Sequence, residues 1–321
     1  TYTGEKASFF SASIGKSLRH PIVFGTPMTI KNQIHRFCNK FGLIIIDEAH
    51  GITPTIKTII DEVRKKNHQL RVIGLSATTY RLGSGFIYAM DEHGTPNRED
   101  QCVEPYFPAK IFTIGGRELI EQGYLTRPLI GAIHAGHYDT LGMKLNSMGK
   151  FAQADIDKAY NGQGRKTAQI IADIIAQSKD RRGVMIFAAT IQHAEECMES
   201  LPPELSRLIT GETKNRAKLV VDFKKQKYKY LVSVGTMTTG VDFTHVDVIA
   251  ILRATESVGL LRQIVGRGSR IHDGKEDFLV LDYAENLERH CPDGDIYNPI
   301  IKSYKSSGGG DLIKAECEIC H

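Results

Sequence analysis

The 321-residue chain contains no tryptophan. No apolar run approaches the ~20 residues that a bilayer-spanning helix needs, which argues against a membrane protein. The N-terminal Thr-Tyr-Thr-Gly-Glu-Lys has no signal-peptide core. Six cysteines are scattered apart from the last pair, Cys317 and Cys320. That is no disulfide framework and fits a reducing cytosol. There is no internal repeat and no long low-complexity tract. An excess of either charge is also lacking: 41 Lys and Arg against 37 Asp and Glu leave a net charge of only +4. This permits nucleic-acid binding without arguing for it, and local basic stretches matter more. The most consequential absence is a glycine-rich phosphate loop. Gly15-Lys16-Ser17 looks like the end of one, but G-x-x-x-x-G-K-[ST] needs glycine at position 10, which is Phe10. No strong strand precedes it, so it reads as a surface loop.

Hydrophobic content of 41% and charged content of 24% are those of a globular protein long enough for two domains. The most informative segment is the apolar run Leu43-Ile44-Ile45-Ile46 followed by Asp47-Glu48-Ala49-His50. A short β-branched run reads as a buried parallel strand. Acids at its C-terminal end lie where open α/β sheets bind ligands. Asp47 is suited to hold Mg²⁺, and Glu48 to polarise an attacking water, the hydrolytic half of a nucleotide triphosphatase. An isolated Asp-Glu is more often a solvated turn; the rest of the chain changes the odds. Val72-Ile73-Gly74-Leu75-Ser76-Ala77-Thr78 reads as a second buried strand ending in hydroxyls. Far downstream come Thr238-Thr239-Gly240-Val241-Asp242 and Gln263-Ile264-Val265-Gly266-Arg267-Gly268-Ser269-Arg270. DEAH, SAT, TTG-x-D and Q-x-x-G-R-x-x-R in this order resemble the motif set of superfamily-2 helicases and translocases.

Along the chain, residues 21–27 read as a strand ending in a Gly-Thr-Pro turn, 29–39 as a short helix, and 52–67 as an amphipathic helix with Ile56, Ile59, Ile60 and Val63 on one face. Residues 80–108 are irregular, and Gly123–Pro128 looks like the passage out of the first domain. Residues 153–179 read as one helix with Ile170, Ile171, Ile174 and Ile175 as its core stripe, and 191–200 as another. Strands are expected at 184–187, 206–209, 230–234, 246–252 and 277–281. Alternating strand and helix implies parallel sheets. The expected fold is α/β: two RecA-like parallel-sheet domains, an incomplete first over 1–127 and a second over 128–290, with a cleft between them. A tail over 291–321 contains a Ser-Ser-Gly-Gly-Gly linker and half of a zinc knuckle, Cys317-Glu318-Ile319-Cys320-His321.

Arg267 and Arg270 lie three apart, so on a helix they would share one face, and their planar forks suit phosphate. Gln263 and Gly266 sit in register with them, Gly240 would allow close backbone approach, and Asp242 would meet the nucleotide or the arginines. His50 would link the nucleotide site to the second domain, with a partly exposed turn histidine as the plainer reading. Ser76 and Thr78 would form the interdomain relay. Thr26 with Pro27, Thr190, Thr238 and Thr239 end strands with groups that bind nucleic-acid phosphates without reading sequence. Individually each such threonine is more often an N-cap. The basic run Lys224–Lys229 reads as a solvated face.

The stretches Gly74–Tyr88, Gly183–Thr190 with His193-Ala194, and Val246–Arg253 running on to Gln263–Gly268 resemble the RadD-like bacterial branch of superfamily 2. The resemblance covers nearly the whole chain and departs at the missing phosphate loop, without which the chain alone is expected to be inactive. It implies a DNA-dependent ATPase of double-strand-break repair using ATP and Mg²⁺. It also implies single-stranded or branched DNA as partner, work alongside single-strand-binding protein and recombinase, a bacterial cytosolic location, and a zinc module beginning at Cys317 and Cys320. Two other readings stay open: a nucleic-acid-binding module without catalysis, and the motor subunit of a restriction system or a viral helicase.

Overall fold

The computed structural model describes residues 4–81, 84–98, 101–140, 142–146, 150–235 and 241–297. By packing, the chain divides into two compact units at Arg81/Leu82. Among the described residues no helix is long and apolar enough to cross a membrane.

The first unit contains β1 (Ala7–Ser11), β2 (Gly15–Lys16), β3 (Ile22–Gly25), α1 (Pro27–Lys31), β4 (Leu43–Ile46), α2 (Pro54–Lys66), β5 (Arg71–Gly74) and β6 (Tyr80–Arg81). Strand β1 pairs antiparallel with β2 and parallel with β3, while β4 and β5 form a separate parallel pair with Ile46 opposite Gly74. Helix α2 starts where Thr53 accepts a hydrogen bond from the Ile56 amide and Pro54 takes the first turn, and it buries Ile59, Ile60 and Val63. Three expectations need correcting here. The segment 29–39 is a short α1 plus a separate 3-10 turn at Ile34–Arg36. Gly15-Lys16 is the return strand of a β1–β2 hairpin rather than a loop, and the strand expected over 21–27 follows it as β3. The third concerns the strand before Asp47, which is not buried on both faces: Leu43 is 44% and Ile45 57% exposed, and Phe9, Phe24 and Leu75 are also exposed. A parallel pair this apolar is normally covered on both sides. Among the described residues nothing covers its second face.

The second unit begins with β7 (Gly85–Phe86) and a parallel pair, β8 (Tyr88–Met90) and β9 (Phe107–Ala109), then α3 (Gly116–Glu121). Its main body is β10 (Arg127–Ile130), α4 (Gln153–Tyr160), α5 (Gly164–Gln177), β11 (Gly183–Ala188), α6 (Ile191–Ser200), β12 (Ser206–Ile209), α7 (Arg216–Lys224), β13 (Tyr230–Val234), β14 (Val246–Ile251), α8 (Val258–Val265), β15 (Asp277–Asp282) and α9 (Asn286–His290). The six strands pair in the order β10-β15-β14-β11-β13-β12, all parallel. Alternation along β11 assigns its side chains to two layers. Val184 and Ile186 join Ile170, Ile171 and Ile174 of α5 and Cys197 of α6. Met185 and Phe187 join Phe223 of α7 and Leu261 and Ile264 of α8. Each fully buried aliphatic side chain contributes roughly 1.5–3 kcal/mol, so this two-sided core anchors everything that follows. The expected helix 153–179 is two helices: Asn161 leaves the helical region and Gly162 takes φ +71°, a left-handed turn that glycine adopts without strain.

Candidate nucleotide and nucleic-acid site

In the first unit the acidic turn is built by local hydrogen bonds. Strand β5 ends at Gly74 rather than running to Thr78, so Ser76–Thr78 is a loop. The Leu75 amide donates to the Ile46 carbonyl (2.8 Å) and the Ala49 amide to the Leu75 carbonyl (2.9 Å), which zips the two strand ends together. Glu48 sits in the left-handed region at φ 49°, ψ 48°. Non-glycine residues held there cost on the order of 1–3 kcal/mol and concentrate at functional sites. Its amide donates to the Asp47 carboxylate (2.9 Å), and its carbonyl accepts from Gly51 (2.7 Å).

His50 Nδ1 lies 3.0 Å from Ser76 Oγ, 3.3 Å from Thr78 Oγ1 and 3.3 Å from Glu48 Oε2. The Ser76 hydroxyl hydrogen goes to the Thr78 carbonyl (2.6 Å), and Ser76 Oγ also accepts from the Thr78 amide (3.1 Å). Ser76 therefore has no hydrogen left for His50, so Nδ1 carries the proton and donates. Glu48, His50, Ser76 and Thr78, 28 positions apart in sequence between His50 and Thr78, are one hydrogen-bonded set. Arg81, which sequence reasoning missed, braces the same turn by donating to the carbonyls of His50 and Ile52. Its backbone-directed contacts leave no sequence pattern.

Asp47 is exposed beside this set. Among the described residues no group of three or more His, Cys, Asp or Glu side chains is placed to hold a metal ion. Asp47 and Glu48 are carboxylates of the kind that suit Mg²⁺, which is normally held by one or two carboxylates plus substrate phosphates and water. Cys317 and Cys320 lie outside the described residues, as do Thr238, Thr239 and Gly240.

In the second unit Gln263 lies on α8, which ends at Val265 with Gly266 as its cap. Arg267 and Arg270 are thus not on a helix face, as their spacing implied, but on the turn after it. Gly268 explains the turn: a Cβ there would meet the Phe278 ring at 2.2 Å, so the backbone passes flat against β15. Arg267 Nη1 donates to the Val241 carbonyl, and Arg270 Nε stands 3.8 Å from Asp242 Oδ1, both partly exposed. The arginine turn and the segment after Gly240 are therefore adjacent.

Of Thr26 and Thr190, Thr190 alone makes a side-chain cap bond. Thr26 sits at the α1 N-cap position and donates to Thr29 Oγ1 (2.8 Å); Pro27 is exposed beside it. Thr190 caps α6, accepting from the His193 amide (3.0 Å) and donating to Asn161. Buried His193 accepts from the Ala189 amide at Nδ1 (3.3 Å), so Nε2 carries its proton and donates to Tyr138 Oη (2.8 Å). Burial holds its pKa down at about 4.

Comparison with known proteins finds matches in both parts of the chain. The DEAD/DEAH box helicase family matches residues 2–82, and the helicase conserved C-terminal domain family matches residues 166–272. The chain belongs with the superfamily-2 helicases and carries both of their RecA-like domains. Among individual proteins, it is 27% identical over 263 residues to the "Putative mitochondrial ATP-dependent helicase irc3" of Schizosaccharomyces pombe, covering 78% of this chain and 39% of that one. It is 25% identical over 275 residues to the "Type I restriction enzyme EcoAI endonuclease subunit" of Escherichia coli, covering 77% and 32%. Its fold resembles a fragment of "a putative HsdR subunit of a type I restriction enzyme" from Vibrio vulnificus YJ016, with TM-score 0.61 and 21% identity, over 89% of this chain and 55% of that one. The chain thus spans well under half the length of these curated relatives.

Proposed function

We propose that the chain is the core of an ATP-driven motor that moves along DNA. The observation that carries this reading is the hydrogen-bonded set joining Glu48, His50, Ser76 and Thr78. It gives the acid that would act on water a direct mechanical connection to the neighbouring loop. In this reading Asp47 helps hold Mg²⁺ and Glu48 orients and deprotonates the attacking water. When bound, Mg²⁺ supplies charge compensation on the phosphate oxygens. Arg267 and Arg270 supply positive charge to the transferred phosphate, while Gln263, Gly266, Gly240 and Asp242 shape the nucleotide's surroundings. The threonines Thr26, Thr190, Thr238 and Thr239 follow the nucleic-acid backbone through hydroxyl and amide contacts.

The motif resemblance supports a narrower reading: DNA double-strand-break repair in a bacterial cytosol, with single-strand-binding protein and recombinase as partners and a zinc module beginning at Cys317 and Cys320. The restriction-enzyme relative supports a second reading, the translocating subunit of a restriction system. The deciding experiment is steady-state ATP hydrolysis by the full-length protein with no nucleic acid, single-stranded DNA, duplex DNA or RNA. Stimulation by DNA above RNA is expected. Hydrolysis that ignores every nucleic acid would overturn the motor reading, and a nuclease domain or methyltransferase partner would favour restriction over repair.

A further inference from the structure

Lys275 was no part of any motif considered above. It follows a tight turn in which its amide donates to the His272 carbonyl (3.0 Å) and Gly274 takes φ +70°. Its side chain then runs under the arginine turn. Nζ lies 2.5 Å from the Val246 carbonyl, 2.6 Å from the Gly268 carbonyl and 2.8 Å from the Arg270 carbonyl, with the Thr244 carbonyl at 3.4 Å. An ammonium has three hydrogens, and the three short contacts use them all. Two of these carbonyls flank Ser269 in the arginine turn; the others belong to the segment that runs from Asp242 into β14. One cation therefore joins the two segments that carry Arg267, Arg270 and Asp242. The same turn is held from its other side by buried Thr126, whose amide donates to the Ser269 carbonyl (2.8 Å) and whose hydroxyl donates to the Arg270 carbonyl (3.2 Å).

We propose that Lys275, assisted by Thr126, is a positioning residue that fixes the arginine turn against the Asp242 segment and so sets where the two guanidinium groups stand for phosphate chemistry. The proposal rests on the ATPase reading above. A charged donor is the fitting device. Charge-assisted hydrogen bonds are roughly twice as strong as neutral ones, and carbonyls converging on one point cannot be satisfied by an apolar side chain. Burial presses the Lys275 amine down to about 8. Asp247 pulls it upward, and Arg181 and Arg182 push it down. Its proton is thus retained at neutral pH, as a donor to three carbonyls requires.

The test uses the full-length protein with Lys275→Met and, because Met leaves the carbonyls unpaired and could impair folding, the milder Thr126→Val. Two readouts are taken: ATP kinetics with saturating DNA, and amide hydrogen exchange. Misplacing a catalytic group by about 1 Å can cost about 100-fold in rate. On that basis K275M should lower kcat about 10- to 100-fold and T126V several-fold, with KM for ATP within about twofold. Exchange should quicken at residues 266–271 and stay unchanged in the core of β11 and α5. Normal kcat in folded K275M and T126V would overturn the proposal. So would exchange quickened across the whole sheet, which marks a merely structural lysine. If the wild type hydrolyses no ATP with any nucleic acid, the functional reading fails separately. The exchange pattern then decides alone: quickening confined to 266–271 supports the lysine clamp, and its absence overturns it.

Discussion

At the scale of single residues, Glu48 carries the sharpest expectation. Glu48→Gln keeps the side chain's size but removes its basicity. Loss of a positioned general base costs about 10²- to 10⁴-fold, so the full-length protein should bind nucleotide and turn it over at that reduced rate in a phosphate-release assay. Full turnover would remove Glu48 from the chemistry. Gly268→Ala makes a second test. Its Cβ would press at 2.2 Å on a fully buried ring, Phe278. Overpacking of this kind typically costs about 1–3 kcal/mol, and a lowered urea midpoint is expected together with reduced kcat. Glu48 was legible in the sequence because its motif is four adjacent residues. Lys275 and Arg81 were not, because both act on backbone carbonyls. A carbonyl has no residue identity, so no pattern in the sequence announces what will bind it.

At the scale of elements, strands were easier to read than helix ends. The strands expected at 206–209 and 230–234 are the observed β12 and β13. The break between α4 and α5 was hidden by a helical pattern that continues through Asn161-Gly162. The arginine pair was misplaced onto a helix because spacing alone cannot reveal that Gly268 must lie against Phe278. The α5–α6 layer also carries a pH dependence. His193 is fully buried with its pKa pushed from 6.5 to about 4. Above about pH 6.5 both folded and unfolded states hold it neutral. Between about 6.5 and 4 only the unfolded state takes the proton, so stability falls as pH falls. With each pKa unit worth about 1.4 kcal/mol, the loss approaches about 3 kcal/mol by pH 4. His245, also pushed down to about 4, acts in the same direction. Urea midpoints measured from pH 7.5 to 4 should drop, and His193→Gln should flatten the drop.

At the scale of the whole molecule, the two units differ in how well each covers the faces of its own sheets. The second has a sheet sealed on both sides. The first leaves Phe9, Phe24, Leu43, Ile45 and Leu75 open. Residues 82–321 alone should therefore unfold in one cooperative urea transition. Residues 1–81 alone should show no such transition and should bind a hydrophobic dye, as states without complete packing do. A sharp transition in the smaller fragment would mean that its exposed faces need no cover. An uncovered face in the first unit was legible in the sequence only as the expectation of an incomplete domain. Which side chains would lie bare was not, since an apolar run reads the same whether or not its neighbours are present.

The strand order of the second unit also bears on its synthesis. Strand β10 is the first of its sheet to leave the ribosome, yet among the described residues its sole partner in that sheet is β15, with Arg127 opposite Asp277, 150 positions later. Strands β11, β13 and β12 can assemble among themselves in the meantime. The edge made by β10 must wait until nearly the entire unit has emerged. Long-range parallel pairing of this kind is slow to form and leaves an open strand edge while it is pending. A nascent chain stalled just before residue 277 would thus present a half-built sheet with β14 as a bare apolar edge, and that is the stage at which a chaperone would be needed most.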